Sequence, residues 1–162
     1  LKKKILTKKL REKFAKKIGS DVILGLNKFP KIYLPNGKIR VLKTRIKYYL
    51  LLVKPNFGCS TRKVFSANKV FSKSKLGKLK NVSKNMIINS ENDLENSAFR
   101  LYPNLFKLKN KLLSWKKAEF VRMTGSGSTL VMYFNKEVSA KNALKMSKRK
   151  LNNCWCILSK VI

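Results

Sequence analysis

The sequence predicts an α+β sandwich with four strands, and three observations predict it. A continuous aromatic and aliphatic run, KYYLLLV at residues 47–53, reads as a buried strand. Two apolar runs flank a small-residue loop in FVRMTGSGSTLVMYF at residues 120–134, and CWCILSKVI at residues 154–162 closes the chain as a last strand. Between these strands lie segments with apolar residues three and four apart, the spacing of helices. The order β-α-α-α-β-β-α-β is that of a ferredoxin-like fold carrying an inserted helical segment.

Ahead of those strands, residues 1–18, LKKKILTKKLREKFAKKI, set Leu6, Leu10, Phe14 and Ile18 four apart, which makes a basic amphipathic helix whose apolar stripe belongs in a core. Gly19 closes it, and GSDVILGL continues into a second apolar piece. KIYLPNGKIRVLK, residues 31–43, reads as a hairpin turning at Pro35-Asn36-Gly37. The buried strand at 47–53 is stopped by Lys54-Pro55-Asn56. Ser60 or Thr61 then caps a helix with Val64, Phe65 and Phe71 on its apolar side. Residues 72–90 are Lys- and Asn-rich without clear period and are expected to form a loop or mobile insertion. Residues 91–113, ENDLENSAFRLYPNLFKLKNKLL, are strongly periodic through Leu94, Ala98, Leu101, Leu105, Leu108 and Leu112, with Pro103 dividing them into two helices or kinking one. A helix from about residue 136 to 151 joins the third strand to the last.

Composition narrows the classes of function. At 162 residues the chain has room for one good core, or for a small domain plus a piece of another. With 39 Lys and Arg against 7 Asp and Glu, the net charge of +32 would favour a phosphate backbone, and a basic RNA-binding protein is one reading. The lysines are spread along the whole chain and no paired aromatic strand motif of an RNA module is present, so a generally basic solvated surface is preferred to a dedicated nucleic-acid partner. No apolar run approaches the roughly 20 residues of a membrane span, so no membrane partner and a soluble chain are expected. The cysteines are Cys59, Cys154 and Cys156 and there is no histidine, which leaves no zinc ligand set, excludes Ser-His and Cys-His catalysis, and points to free thiols in a cytoplasmic compartment. The chain starts at Leu1 rather than Met, and it is expected not to be a complete translation product.

Two constellations could carry chemistry. A hairpin needs only a two-residue turn, yet Thr124-Gly125-Ser126-Gly127-Ser128 supplies five small residues. Gly125 and Gly127 can take positive φ, and the backbone N–H groups with the hydroxyls of Thr124, Ser126 and Ser128 offer donors to an anion; the alternative is a loose hairpin loop. It is not a P-loop, because neither Gly37-Lys38 nor Gly77-Lys78 is followed by Ser or Thr. The second is Asp21, the only acid between Glu12 and Glu91. Among so many lysines it stays ionised and can accept a proton, or it can serve as a turn residue.

Taken together and in order, KIGSDV (17–22), VKPNFGCST (53–61), NDLE (92–95) and RMTGSGSTLVMYF (122–134) resemble the C-terminal half of the 4-diphosphocytidyl-2-C-methyl-D-erythritol kinases, a family of the GHMP kinase superfamily. The resemblance implies a GHMP-kinase C-terminal, ferredoxin-like domain over residues 46–162, preceded at 1–45 by the tail of an N-terminal ATP-binding domain. It implies ATP-dependent phosphorylation of the 2-hydroxyl of 4-diphosphocytidyl-2-C-methyl-D-erythritol, with ATP and Mg2+ as cofactors, for isoprenoid precursors by the non-mevalonate route. In that family the aspartate of the GSDV-type motif lies beside the attacking hydroxyl, a role that falls on Asp21. The glycine motif at Gly125 to Ser128 lies against the substrate and phosphate region, and Thr61 faces the substrate pocket, where a helix start suits a diphosphate. Two departures stand out. Ile23 occupies the place of the family's proline, so a slightly different strand start is expected. The glycine-rich loop that cradles ATP phosphates and the lysine partner of the aspartate belong to a missing N-terminal half, so the chain alone is expected to be inactive. Another GHMP small-molecule kinase is the alternative, although one acting on homoserine or mevalonate should not combine NDLE with KPNFGCST.

Overall fold

The structure, a computed structural model, describes residues 7–26, 31–34, 38–42, 46–72 and 82–161. Leu6 and the turn expected at Pro35-Asn36-Gly37 lie outside the described residues. Two compact units form, Leu1–Arg45 with Lys75–Val82, and Ile46–Ser74 with Ser83–Ile162.

In the smaller unit, helix α1 (Lys8–Ile18) is N-capped by Thr7, whose hydroxyl accepts the Leu10 N–H at 3.3 Å. Gly19 N–H returns to Ala15 O at 3.1 Å, and the short helix α2 (Ser20–Leu24) follows. The GSDV segment is thus helical, where a strand start was expected. Strands β1 (Lys31–Tyr33) and β2 (Ile39–Val41) pair antiparallel as the expected hairpin, with Leu34 N–H on Lys38 O at 2.8 Å. Ala15 is buried, but Leu10, Phe14 and Ile18 are exposed. The periodicity predicted a core stripe, and in this unit that stripe is uncovered.

The larger unit holds β3 (Tyr48–Pro55), α3 (Thr61–Ala67), α4 (Lys84–Ile88), α5 (Glu95–Leu101), α6 (Pro103–Leu113), β4 (Phe120–Met123), β5 (Leu130–Phe134), α7 (Glu137–Lys150) and β6 (Cys154–Val161). The sheet order is β4-β5-β3-β6 with every neighbouring pair antiparallel, the strand order of a ferredoxin-like fold. Leu51 sits opposite Met132 and Leu158, and Val53 opposite Leu130 and Cys156, so one face carries the apolar row. That face packs on Val64 of α3, Ala98 of α5, Leu105 and Leu112 of α6, and Ala140 and Ala143 of α7. On the other face Phe120 and Tyr133 stack at 4.1 Å between ring centroids, with Tyr48 edge-on to both. On the same face at β6, Trp155 and Ile157 remain exposed.

Four local expectations are refined. Pro55 belongs to β3, paired with Cys154, and its missing N–H is tolerated because it is the last residue of the strand. Within the expected loop of 72–90, α4 forms over five residues, N-capped by Ser83, whose hydroxyl accepts the Met86 N–H at 3.3 Å. Pro103 starts α6 at its first position, so there are two helices, and Tyr102 N–H closes the first on Ala98 O at 2.8 Å. Only Val64 of the α3 stripe is buried; Phe65 is exposed and Phe71 lies beyond the helix, their ring centroids 6.5 Å apart. Leu101 is likewise exposed at the end of α5. Among the described residues no helix is long and apolar enough to cross a membrane.

Candidate functional site

The loop between β4 and β5 is closed by Thr124 N–H on Thr129 O at 3.0 Å and, inside it, by Gly127 N–H on Thr124 O at 3.1 Å. Gly125 has φ +55° and Gly127 φ +93°, the half of φ space that glycine enters without steric cost. The two glycines differ in surroundings. A Cβ on Gly125 would meet nothing within 4 Å, whereas one on Gly127 would stand 3.0 Å from Met123 Sδ and 3.1 Å from Cys59 Sγ. Gly125 is needed for its dihedral alone, and Gly127 also for close packing on the segment after β3.

That segment is PNFGCST, residues 55–61, and two hydroxyl contacts tie it to the loop. Thr61 Oγ1 and Ser126 Oγ share a hydrogen bond of 2.9 Å, so two of the residues expected at a site from sequence meet directly. Ser128 Oγ donates to Phe57 O at 2.7 Å and the residue is buried. Ser128 was expected to offer its hydroxyl to an anion; the hydroxyl instead holds the two segments together. Ser60 is the cap of α3, accepting the Lys63 N–H at 3.4 Å, while its own N–H donates to Tyr102 Oη at 2.9 Å. Thr61 is the first helical residue. Burial pushes the Cys59 thiol pKa up, so this thiol stays protonated beside Gly127. Thr124 and Gly125 are exposed, and among the described residues the N–H groups of Gly125 and Ser126 meet no acceptor.

A second set of residues holds the loop from the side of β4, the outer edge of the sheet. Asn92 Nδ2 donates to Met123 O at 2.9 Å and to Gly125 O at 2.8 Å. Glu95 Oε1 accepts the Met123 N–H at 2.6 Å, and its Oε2 pairs with Lys109 Nζ at 2.5 Å. An edge strand leaves such groups unpaired, and here side chains complete both the N–H and the carbonyl of Met123. Arg122 stacks on Phe120, 4.7 Å from the ring centroid, and its guanidinium donates to the carbonyls of Ile87 and Ile88 at 2.9 and 3.3 Å and to that of Ser90. In the sequence NDLE carries only a family resemblance and gives Asn92 and Glu95 no role. The available signal was two acids and an amide crowded into residues 92–95 of a chain with 7 acids in all.

Asp21 lies in α2 of the smaller unit, and its side chain is outside the described residues. A cavity lined by Tyr49, Glu137, Leu158 and Lys160 opens at the opposite end of β3 from the loop and has no part in this constellation.

The family described as GHMP kinases C terminal matches residues 70–153, about half of the chain and inclusive of the NDLE segment and the glycine loop. The chain belongs to the GHMP kinase family. It is 44% identical over 153 residues to the 4-diphosphocytidyl-2-C-methyl-D-erythritol kinase of Pelagibacter ubique, covering 93% of this chain and 54% of that protein. The kinase of the same name from Anaplasma marginale is 32% identical over 149 residues, covering 87% of this chain and 51% of the relative. The chloroplastic kinase of Arabidopsis thaliana is 35% identical over 89 residues, 51% of this chain and 23% of its own length. A crystal structure of 4-(cytidine 5'-diphospho)-2C-methyl-D-erythritol kinase has a TM-score of 0.70 at 21% identity, covering 88% of this chain and 54% of that one, a likeness of fold. The chain spans about half the length of the Pelagibacter ubique and Anaplasma marginale relatives.

Proposed function

We propose that this chain is the C-terminal portion of an ATP-dependent kinase that phosphorylates the 2-hydroxyl of 4-diphosphocytidyl-2-C-methyl-D-erythritol, a cytoplasmic step toward isoprenoid precursors by the non-mevalonate route. Residues 1–45 are the tail of the N-terminal ATP-binding domain, residues 46–162 are the C-terminal domain, and a missing N-terminal half supplies the phosphate-cradling loop. Similarity to kinases of that name over 93% of the chain supports the reading. The observation that carries it is the 2.9 Å hydrogen bond between Thr61 and Ser126, which joins PNFGCST to the glycine loop beside the N–H groups of Gly125 and Ser126, which among the described residues meet no acceptor.

Phosphoryl transfer asks the protein mainly for positioning and for stabilisation of charge. Asp21 orients the acceptor hydroxyl and takes its proton. The N–H groups of Gly125 and Ser126, with the Thr124 hydroxyl, bind a phosphate of substrate or nucleotide, and Thr61 with Ser126 lines the pocket for the diphosphate. This donor set fits an ATP or substrate phosphate, and ATP supplies the phosphoryl group that is transferred. Mg2+ would enter with the ATP phosphates, held by their oxygens and one or two carboxylates rather than by an all-protein cage; among the described residues no group of three or more His, Cys, Asp or Glu side chains gathers.

The test joins residues 1–162 to the N-terminal half of the Pelagibacter ubique relative and measures phosphate transfer from ATP to 4-diphosphocytidyl-2-C-methyl-D-erythritol. The joined protein turns over and the 162-residue chain alone does not. Asp21→Asn lowers kcat by about 10²–10⁴-fold, the usual contribution of a positioned acid or base. Turnover undiminished in Asp21→Asn removes the role given to that carboxylate, and turnover by the chain alone refutes the missing-half reading.

A further inference from the structure

We infer that Asn92 is a positioning residue for the phosphate-binding loop, acting by fixing the plane of the Gly125–Ser126 peptide; the inference rests on the phosphate reading of that loop. One amide orientation alone suits its surroundings. The carbonyls of Met123 and Gly125, at 2.9 and 2.8 Å, need a donor, and the Leu94 N–H at 3.1 Å needs an acceptor, so Nδ2 faces the loop and Oδ1 faces the start of α5. Both Nδ2 hydrogens are engaged, one on either side of Thr124. The positive φ of Gly125 turns the second carbonyl back toward the same amide.

The consequence for binding follows from peptide geometry. The Gly125–Ser126 bond is trans, so its C=O and N–H point in opposite directions. With Gly125 O held against Asn92, the Ser126 N–H is turned away from it, outward, where among the described residues it meets no acceptor. The anchor is itself fixed. Glu95, three residues on, takes the Met123 N–H at 2.6 Å and is held by Lys109, while Arg122 binds the carbonyls of Ile87, Ile88 and Ser90. The segment from Ile87 to Glu95 therefore grips consecutive residues at the end of β4. A loop with two glycines in five residues loses much chain entropy when a ligand orders it, and an anchor that orders it beforehand removes that cost from binding. The ligand class is a phosphate or diphosphate group.

The experiment uses the intact 162-residue chain and inorganic pyrophosphate, followed through the backbone amide resonances of Gly125 and Ser126. Wild type binds, and Asn92→Ala and Asn92→Asp bind about tenfold more weakly at a temperature where near-ultraviolet circular dichroism shows both folded. Asn92→Asp keeps the acceptor for Leu94 N–H and loses the donor, so it separates the grip on the loop from the turn at the helix start. Without ligand, the Gly127 amide, bonded within the loop to Thr124 O, exchanges with solvent about tenfold faster in both variants. Among the described residues Asp93→Asn alters only the acceptor of the Ser72 N–H and hydroxyl, and it leaves both readouts at wild-type values. Equal pyrophosphate affinity in folded Asn92→Ala, unchanged Gly127 exchange, or wild-type behaviour of Asn92→Asp each overturns the inference. A wild-type chain whose loop ignores pyrophosphate refutes the phosphate reading instead, and the exchange comparison then still decides whether Asn92 holds the loop.

Discussion

The two compact units use apolar residues in opposite ways. In the larger, the inward face of the sheet closes on its helices, with Leu51, Val53, Leu130, Met132 and Phe134 all at 1% exposure or less. In the smaller, α1 and α2 show the same helical spacing, yet Phe14 is 46% and Ile18 74% exposed, with Val22 and Leu26 also open. A 3.6-residue period states that a helix has an apolar face; it does not state that the same unit covers that face. Stability should therefore be concentrated in one unit.

The sharpest way to break this contrast is to remove one phenylalanine from each unit. Phe134→Ala opens a cavity in a closed core and costs about 3–5 kcal/mol, read from urea unfolding of the larger unit. Phe14→Ala on the exposed stripe changes stability by only about 0.5 kcal/mol, as surface substitutions do. Equal losses would mean that the α1 stripe is covered in solution.

Within the larger unit the two glycines of the loop sharpen the picture. Gly127→Ala forces a Cβ to φ +93° and within 3.0 Å of Met123 Sδ, and costs about 1–3 kcal/mol. Gly125→Ala meets open space at φ +55° and costs about 1 kcal/mol, the price of the left-handed region for an ordinary residue. Thermal unfolding of the two variants side by side gives the order. A reversal would mean that Met123 and Cys59 yield more readily than the Gly125 backbone.

The sheet was legible because its strands are long apolar runs: KYYLLLV needs both faces covered, and Tyr48 and Leu51 on opposite faces are both buried. The loop was legible through its glycines, whose dihedrals leave few alternatives. The short helix α4 was not, since five residues hold too little of a period to show one, and Arg122, distant in sequence, binds its end. The grip of Asn92 was hidden for the same reason. Its partners lie 31 and 33 residues away and are main-chain carbonyls, which carry no side-chain signature. Phe65 and Leu101 mark the limit of periodicity at short helices, where the end of a stripe runs past the surface it packs on.

The smallest effect separates the loop corner from the outer helix of the same unit. Near the loop, Glu95 and Lys109 are 15% and 18% exposed at the side chain and Glu95 holds strand backbone, whereas on α7 Glu137 and Lys141 are 51% and 59% exposed and pair with each other one turn apart. The hydrogen bond from Lys141, reinforced by its charge, holds the Glu137 carboxyl below its ordinary value of 4.5. A depressed folded value means that the pair stabilises above the unfolded pKa and that its contribution fades as pH falls through the folded one. Because the pair is exposed, salt of about 1 M, with a screening length of about 3 Å, should return the Glu137 titration measured by NMR toward the ordinary value. Glu137→Gln should lower the unfolding midpoint at pH 7 only slightly, and not at all in about 1 M salt. A depression that survives high salt would show that the Lys141 hydrogen bond persists when charge is screened, and α7 would then resemble the loop corner instead of contrasting with it.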